Sequence, residues 1–137
     1  MKYPITMKTV LLGLSLLVAA GSVPAVAGDV YVISHPSVTL TTAELRDAYL
    51  GEKQFAGSIK LVPVDNAAVQ SDFLAKALNM DAGKYASLWI KKGFRGGLAS
   101  PSVKLGDAEV VSFVKNTPGA IGYVSAPVQE VMLLHKY

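Results

Sequence analysis

The first 27 residues decide how much of this chain is left to fold. Lys2 and Lys8 supply a positive start, residues 10–20 form an almost unbroken apolar run, and Ala25-Val26-Ala27 ends the segment in the small-x-small pattern that a signal peptidase accepts. The apolar run is shorter than the roughly 20 residues a membrane-spanning helix needs. Gly21, Ser22 and Pro24 then interrupt it. The pattern predicts a secretory signal peptide over residues 1–27, cleaved after Ala27, and a single domain over residues 28–137. A domain of this length buries roughly two-thirds of its unfolded surface. The chain has no cysteine, so disulfides, thiolate metal sites and a lipid-bearing cysteine are excluded, and the core alone has to stabilise it.

The basic balance of the whole chain, net +3, owes two charges to Lys2 and Lys8; the remainder carries 11 Lys+Arg against 10 Asp+Glu. No Lys/Arg run exceeds Lys91-Lys92. Nucleic acid and anionic membrane surfaces are therefore poor expectations for a partner, and a small solute or another protein is the better one.

Val30-Tyr31-Val32-Ile33 reads as a buried strand, β-branched and aromatic. Thr41 and Glu44 stand at capping-box spacing ahead of a helix with Leu45, Ala48 and Tyr49 on its inner face, and Gly51 is placed to end it. Residues 59–64 read as a second strand, followed by Asp65-Asn66-Ala67-Ala68 as a short connection. A helix over residues 71–79 would bury Phe73, Leu74, Ala77 and Leu78. Asp81 is positioned to cap another helix, with Tyr85, Leu88 and Trp89 inward and Gly93 as its stop. Residues 93–106 read as a surface loop. Asp107 would cap a helix with Val110, Val111, Phe113 and Val114 inward; Thr117-Pro118-Gly119 then turns into a strand over residues 120–124, and a last short strand covers residues 131–134. The order β-α-β-α-α-loop-α-β-β predicts the α/β class, a central sheet with helices on both faces.

Three stretches resemble the phosphate-type periplasmic binding proteins of ABC importers. Residues 40–51, Leu-Thr-Thr-Ala-Glu-Leu-Arg-Asp-Ala-Tyr-Leu-Gly, are similar to that family's Leu-x-x-x-x-Leu-x-x-Ile-Phe/Tyr-x-Gly segment. Ile59-Lys60-Leu61-Val62-Pro63-Val64 is similar to the strand that follows there, and Asn116-Thr117-Pro118-Gly119-Ala120-Ile121-Gly122-Tyr123-Val124 resembles its most diagnostic stretch. Trp89 followed by Phe94, Gly96 and Pro101 resembles a short-chain branch. The resemblance implies a periplasmic solute-binding domain for a small phosphate-like anion, with an ABC transporter permease or another periplasmic protein as partner. It also implies one lobe where the family has two, which makes pairing of two copies a route to enclosing a ligand. The sequence departs from the family after the Val-Pro-Val strand. The family carries an Arg and a Gly-Ser-Gly-Thr run there; residues 65–71 hold neither Arg nor Gly. A lobe that has lost its ligand and serves as a periplasmic adaptor is the alternative.

Convergent hydrogen-bond donors and a helix start are what an oxyanion site needs. Asn66, Gln70 and Ser71 are the candidates at the predicted helix start, where Asn66 and Ser71 serve equally well as capping and turn residues. Asp65 beside them repels a dianion but can accept a hydrogen bond from a protonated phosphate. Arg95, one of two arginines, sits between glycines, and its guanidinium suits bidentate anion binding; Gly96 would let backbone approach. Thr117 and Gly119 are candidates at the entry to the strand over residues 120–124, where Gly119 also fits a turn demanding positive φ. Ser34 and His35 end the first strand, where open α/β sheets place ligands, though a lone His beside a Pro more often belongs to an ordinary loop. No G-x-S-x-G, P-loop or H-E-x-x-H is present, and two distant histidines make neither a triad nor a metal cluster. The chain is expected to bind rather than catalyse, without metal or cofactor.

Overall fold

A computed structural model describes residues 28–137; the predicted signal peptide lies outside them. The elements in chain order are β1 (Tyr31–Ser34), α1 (Thr42–Tyr49), β2 (Phe55–Ala56), β3 (Ile59–Lys60), β4 (Val62–Asn66), α2 (Gln70–Phe73), which runs on into a π-helical turn (Leu74–Leu78), α3 (Ala82–Gly96), β5 (Ser102–Lys104), α4 (Asp107–Asn116), β6 (Ala120–Val124) and β7 (Met132–Lys136). Five strands form one sheet in the order β5-β4-β6-β1-β7, and β2 and β3 form a separate hairpin. β4 runs parallel to β5 and β6, while β1 is antiparallel to both β6 and β7. The chain leaves β4 for β5 on one side, then crosses back to β6 on the other.

The period-two alternation of the strands sends residues to two cores. Val32 of β1 and Ile121 and Tyr123 of β6 join Leu45, Tyr49, Phe73, Leu78, Tyr85 and Trp89 of the first three helices. Ile33, Val64, Ala120 and Val124 face the other way, against Val110 and Val114 of α4. Helices thus cover both faces, as the predicted α/β class requires. Phe73 stacks on Tyr123 with ring centroids 3.9 Å apart, and Tyr49 meets Phe73 edge-on at 4.7 Å. The buried Tyr49 hydroxyl donates to the Val64 carbonyl at 2.8 Å, so the ring bridges α1 and the sheet without stranding a polar group.

The capping box at Thr41 forms as expected: Glu44 N donates to Thr41 Oγ1 at 3.2 Å, and Thr41 N donates to Glu44 Oε1 at 3.2 Å. Thr41→Ala should cost about 1 kcal/mol of stability. Urea unfolding checks this, and an unchanged midpoint would refute it.

Elsewhere the boundaries differ from the sequence reading. The strand over residues 59–64 is broken at Leu61, whose N–H turns away to Gln54 O at 2.9 Å, giving hairpin strand β3 and sheet strand β4. Asp65 and Asn66 belong to β4 and are buried rather than forming a connection. The next helix starts at Gln70, widens into the π turn and stops at Asn79 in the left-handed region, φ 51°. Gly93 does not stop α3; the helix runs to Gly96, and Gly97 at φ 66° ends it. The predicted loop 93–106 therefore holds a helical turn and edge strand β5. Gly106, not Asp107, is the N-cap of α4. The last strand covers Met132–Lys136.

Candidate functional site

The carboxyl ends of β4, β5 and β6 point the same way, and the reversal of strand order at β4 puts the open-sheet crevice at that end. Two polar clusters occupy it, one for each face of the sheet. On the face covered by α3, the Asp65 carboxylate accepts from Tyr85 Oη at 2.8 Å and from Tyr123 Oη at 2.7 Å. The nearby Gln70 side chain also favours its charged form. Burial pushes the Asp65 carboxyl above its ordinary value, against the pull of Tyr123, Tyr85 and Gln70. The same burial, reinforced by the Asp65 charge, holds both tyrosines protonated and well above their ordinary range.

On the other face, Asn66 Nδ2 donates to Asp107 Oδ1 at 2.8 Å and to the Tyr123 carbonyl at 3.0 Å, while Asn66 Oδ1 accepts from Ala68 N at 3.0 Å. Asp107 Oδ2 accepts from Ser125 N and Ser125 Oγ at 3.0 and 2.6 Å. Asp107 thereby ties the ends of β4 and β6 to the first turn of α4, where a carboxylate also suits the helix dipole.

A pocket of about 510 Å³ lies beside the Asp65 cluster, lined by Gln70, Tyr85, Trp89, Ile90, Ser100 and Val103 among others, with no Lys or Arg. Val69, the N-cap of α2, makes no side-chain capping bond. The buried Trp89 Nε1 faces the Tyr85 hydroxyl but falls short of hydrogen-bond geometry, and it has no acceptor among the described residues.

The candidate residues from the sequence fall into three places. Asn66, Gln70 and Ser71 are together at the end of β4. Both Asn66 amide hydrogens are used internally, Gln70 lines the pocket, and Ser71 is exposed at the second position of α2. Arg95 and Gly96 line a different groove, with Lys84, Leu88, Lys91 and Leu98. Thr117 and Gly119 lie at the amino end of β6, the opposite end of the sheet from Asn66, because Val62 rather than Asn66 pairs with Ala120. Gly119 has φ 83°, and its N–H donates to Ser37 Oγ at 3.1 Å. Ser34 and His35 join that amino end, since β1 runs antiparallel to β6. There His35 Nδ1 lies 2.7 Å from Ser37 Oγ in a local turn.

Tyr85, Tyr123 and Asp107 are polar residues that sequence reasoning did not assign to the site, and Asp65 it weighed only for its effect on an anion. Tyr85 was read as core, and Tyr123 only as part of a strand and of the family's diagnostic stretch. A buried tyrosine hydroxyl needs a partner, and that requirement is the one signal in the sequence that could have drawn attention to Tyr85 and Tyr123. Among the described residues no group of three His, Cys, Asp or Glu is placed to hold a metal ion, and no helix is long and apolar enough to cross a membrane.

No protein-family model matches the chain, and no curated protein matches it. Solved structures do match it, among them the following two. One is an ABC-type phosphate transport receptor from Vibrio cholerae, 16% identical with a TM-score of 0.49, over 79% of this chain and 46% of that one. The other is a Clostridium perfringens protein assigned to phosphate ABC transport as a substrate-binding protein, solved with bound phosphate; it is 19% identical with a TM-score of 0.50, over 79% of this chain and 45% of that one. The second likeness shows the fold. Over the aligned part this chain shares the α/β fold of that protein, and it spans a little under half the length of each of the two.

Proposed function

We propose that the chain is an exported, single-lobe solute-binding domain that takes a small oxyanion such as phosphate by binding alone, with no bond made or broken. The observation that carries this reading is the start of α2, which has no side-chain cap, beside a pocket at the carboxyl end of β4 in a fold shared with a protein that holds phosphate. Gln70 and the first-turn amides are the donors, Ser71 stands exposed next to them outside the pocket lining, and Ser100 is a further polar residue of that lining. The absence of a lining cation and the closeness of the buried Asp65 select the protonated form of the anion, because a carboxylate repels a dianion but can accept from a protonated oxygen. In this reading residues 1–27 direct export to the periplasm and are removed after Ala27. An ABC transporter permease is the partner, and a second copy of the chain would supply the missing wall.

Calorimetric titration with phosphate tests the site. Heat is expected at millimolar ligand, stronger as pH falls and the monoanion replaces the dianion. Folded protein that gives no heat at either protonation state would defeat the proposal.

One specific observation favours a second reading, a periplasmic adaptor without a ligand. The Asn66–Asp107–Ser125 network closes the strand ends from within, and Arg95 stands in another groove. Recovery of one stoichiometric protein partner, together with a null titration, would decide for it.

A further inference from the structure

Helix α3 carries a surface that its core packing does not use and that reaches beyond the Asp65 pocket, whose rim includes Ala86, Ile90 and Val103. Its inner stripe is Tyr85, Leu88 and Trp89. Ala86, Ile90 and Phe94, spaced four apart, form a second ridge that faces away from the core. Ile90 is 71% exposed and Phe94 is 94% exposed, and Val103 on the adjoining edge strand is also exposed. Single exposed apolar residues are ordinary on protein surfaces, but a contiguous ridge of them marks an interaction site. The flank of this ridge is cationic. The 15 residues of α3 include Lys84, Lys91, Lys92 and Arg95 and no carboxylate. Lys92 pairs with Glu52 at 2.9 Å, and the nearby Asp81 is engaged in capping Lys84 N at 2.8 Å. Lys84, Lys91 and Arg95 have no ion-pair partner among the described residues. The helix C-terminal dipole accounts for Arg95 alone; it does not account for Phe94, Ile90 or the two lysines.

We infer that α3 seats the protein on an anionic lipid surface, with Ile90 and Phe94 entering the apolar boundary and Lys84, Lys91 and Arg95 at the headgroup phosphates. An amphipathic helix with cations flanking an apolar ridge binds at such an interface through buried apolar area plus attraction to anionic lipid. The ridge protrudes, so a fluid surface accepts it without needing a complementary shape. Beside it lies an open groove of about 890 Å³ lined by Lys84, Lys91, Lys92 and Arg95 with Leu88 and Leu98, and by Asp81, whose carboxylate caps Lys84 N; four cations over two leucines suit a phosphate above an apolar chain. The near-neutral charge of residues 28–137 hides this face, because the balancing carboxylates lie on other elements. The ridge shares Ile90 with the rim of the Asp65 pocket, but Phe94, Lys84, Lys91 and Arg95 lie outside that pocket, so the lipid contact is tested at residues the phosphate site does not use.

Protein recovered from the periplasm should co-sediment with phosphatidylglycerol vesicles and much less with phosphatidylcholine vesicles, and salt should release it. Lys91→Glu or Arg95→Glu should weaken binding at least about fivefold per position, and Phe94→Ala roughly tenfold. All three residues are exposed, so the variants should keep the wild-type circular dichroism. A Phe94→Trp variant reads the face directly: its added emission should shift to the blue on phosphatidylglycerol vesicles, whatever the state of the N-terminal segment. Equal binding to both lipids with no blue shift overturns the inference. So does a self-association abolished by Phe94→Ala in the absence of vesicle binding, which would give the face to a second copy of the chain.

Discussion

Gly119→Ala is expected to destabilise the protein by about 3 kcal/mol or more, a large share of what a domain of this size has. Two costs combine. Gly119 sits at φ 83°, where an L side chain is strained by about 1–2 kcal/mol. A Cβ built there would also stand 2.1 Å from the Lys60 carbonyl oxygen, which is backbone and cannot rotate aside. Overpacking of this kind adds about 1–3 kcal/mol. The strain would fall on a junction, because Val62 N donates to the Gly119 carbonyl at 2.9 Å where β4 joins β6. Gly57→Ala separates the two costs. Gly57 has φ 61° but open space around it, so only the backbone penalty applies. Urea unfolding of both variants, with unchanged slopes, measures the difference. Equal losses for the two would mean that the clash relaxes freely, contrary to this account.

Tyr123→Phe is expected to cost about 1.5–3 kcal/mol at neutral pH, because it removes a hydrogen bond from a buried carboxylate. The pH dependence follows from the direction of the Asp65 shift. Burial raises the folded-state pKa above 3.8, so between that value and the raised one the folded state holds the proton more often than the unfolded chain does. Stability from this group is fully present below the ordinary value and is lost as pH rises through the raised one. Asp65→Asn removes that component, so the difference between wild type and Asp65→Asn should change with pH in this window and then level off. Tyr123→Phe should extend the window upward, since one of the donors opposing the shift is gone. In the Asp65→Asn background, Tyr123→Phe should cost much less than in the wild type, because no charge is left to satisfy. Chemical denaturation of the four proteins across the window measures all of this. Additive costs in the double variant would show that the hydroxyl and the carboxylate are uncoupled.

Sequence reading succeeded where the determining forces are local. Thr41 and Glu44 are three residues apart, and the capping box they form needs nothing from the rest of the chain. The inward positions of α1, α3 and α4 follow from helical spacing: Leu45, Tyr49, Tyr85, Trp89, Val110 and Val114 are all buried. Gly119 was read as a turn residue needing positive φ, and it has one. The alternation of helices and strands was enough for the α/β class with both faces covered.

It failed where a residue's state depends on a partner far along the chain. Asp65 and Asn66 look like turn formers beside Ala67 and Ala68. They are strand residues because Tyr123, 58 positions away, and Asp107, 41 positions away, satisfy their side chains inside the protein. Gly93 looks like a helix stop, yet α3 continues because Gly97 supplies the left-handed cap. β5 hides in an apparent loop because three residues make a strand only when β4 is there to pair with them.

From its residues alone, the chain determined its alternating α/β order, the inner faces of its helices, the capping box and the turn at Gly119, since each of these follows from side-chain period or backbone sterics within a few positions. Tertiary structure decided that Thr117 and Gly119 lie at the opposite end of the sheet from Asn66 and Gln70, and that Arg95 faces a groove of its own. Those separations depend on strand direction and on the rotation of one helix about its axis, and both are set by which distant surfaces pack together.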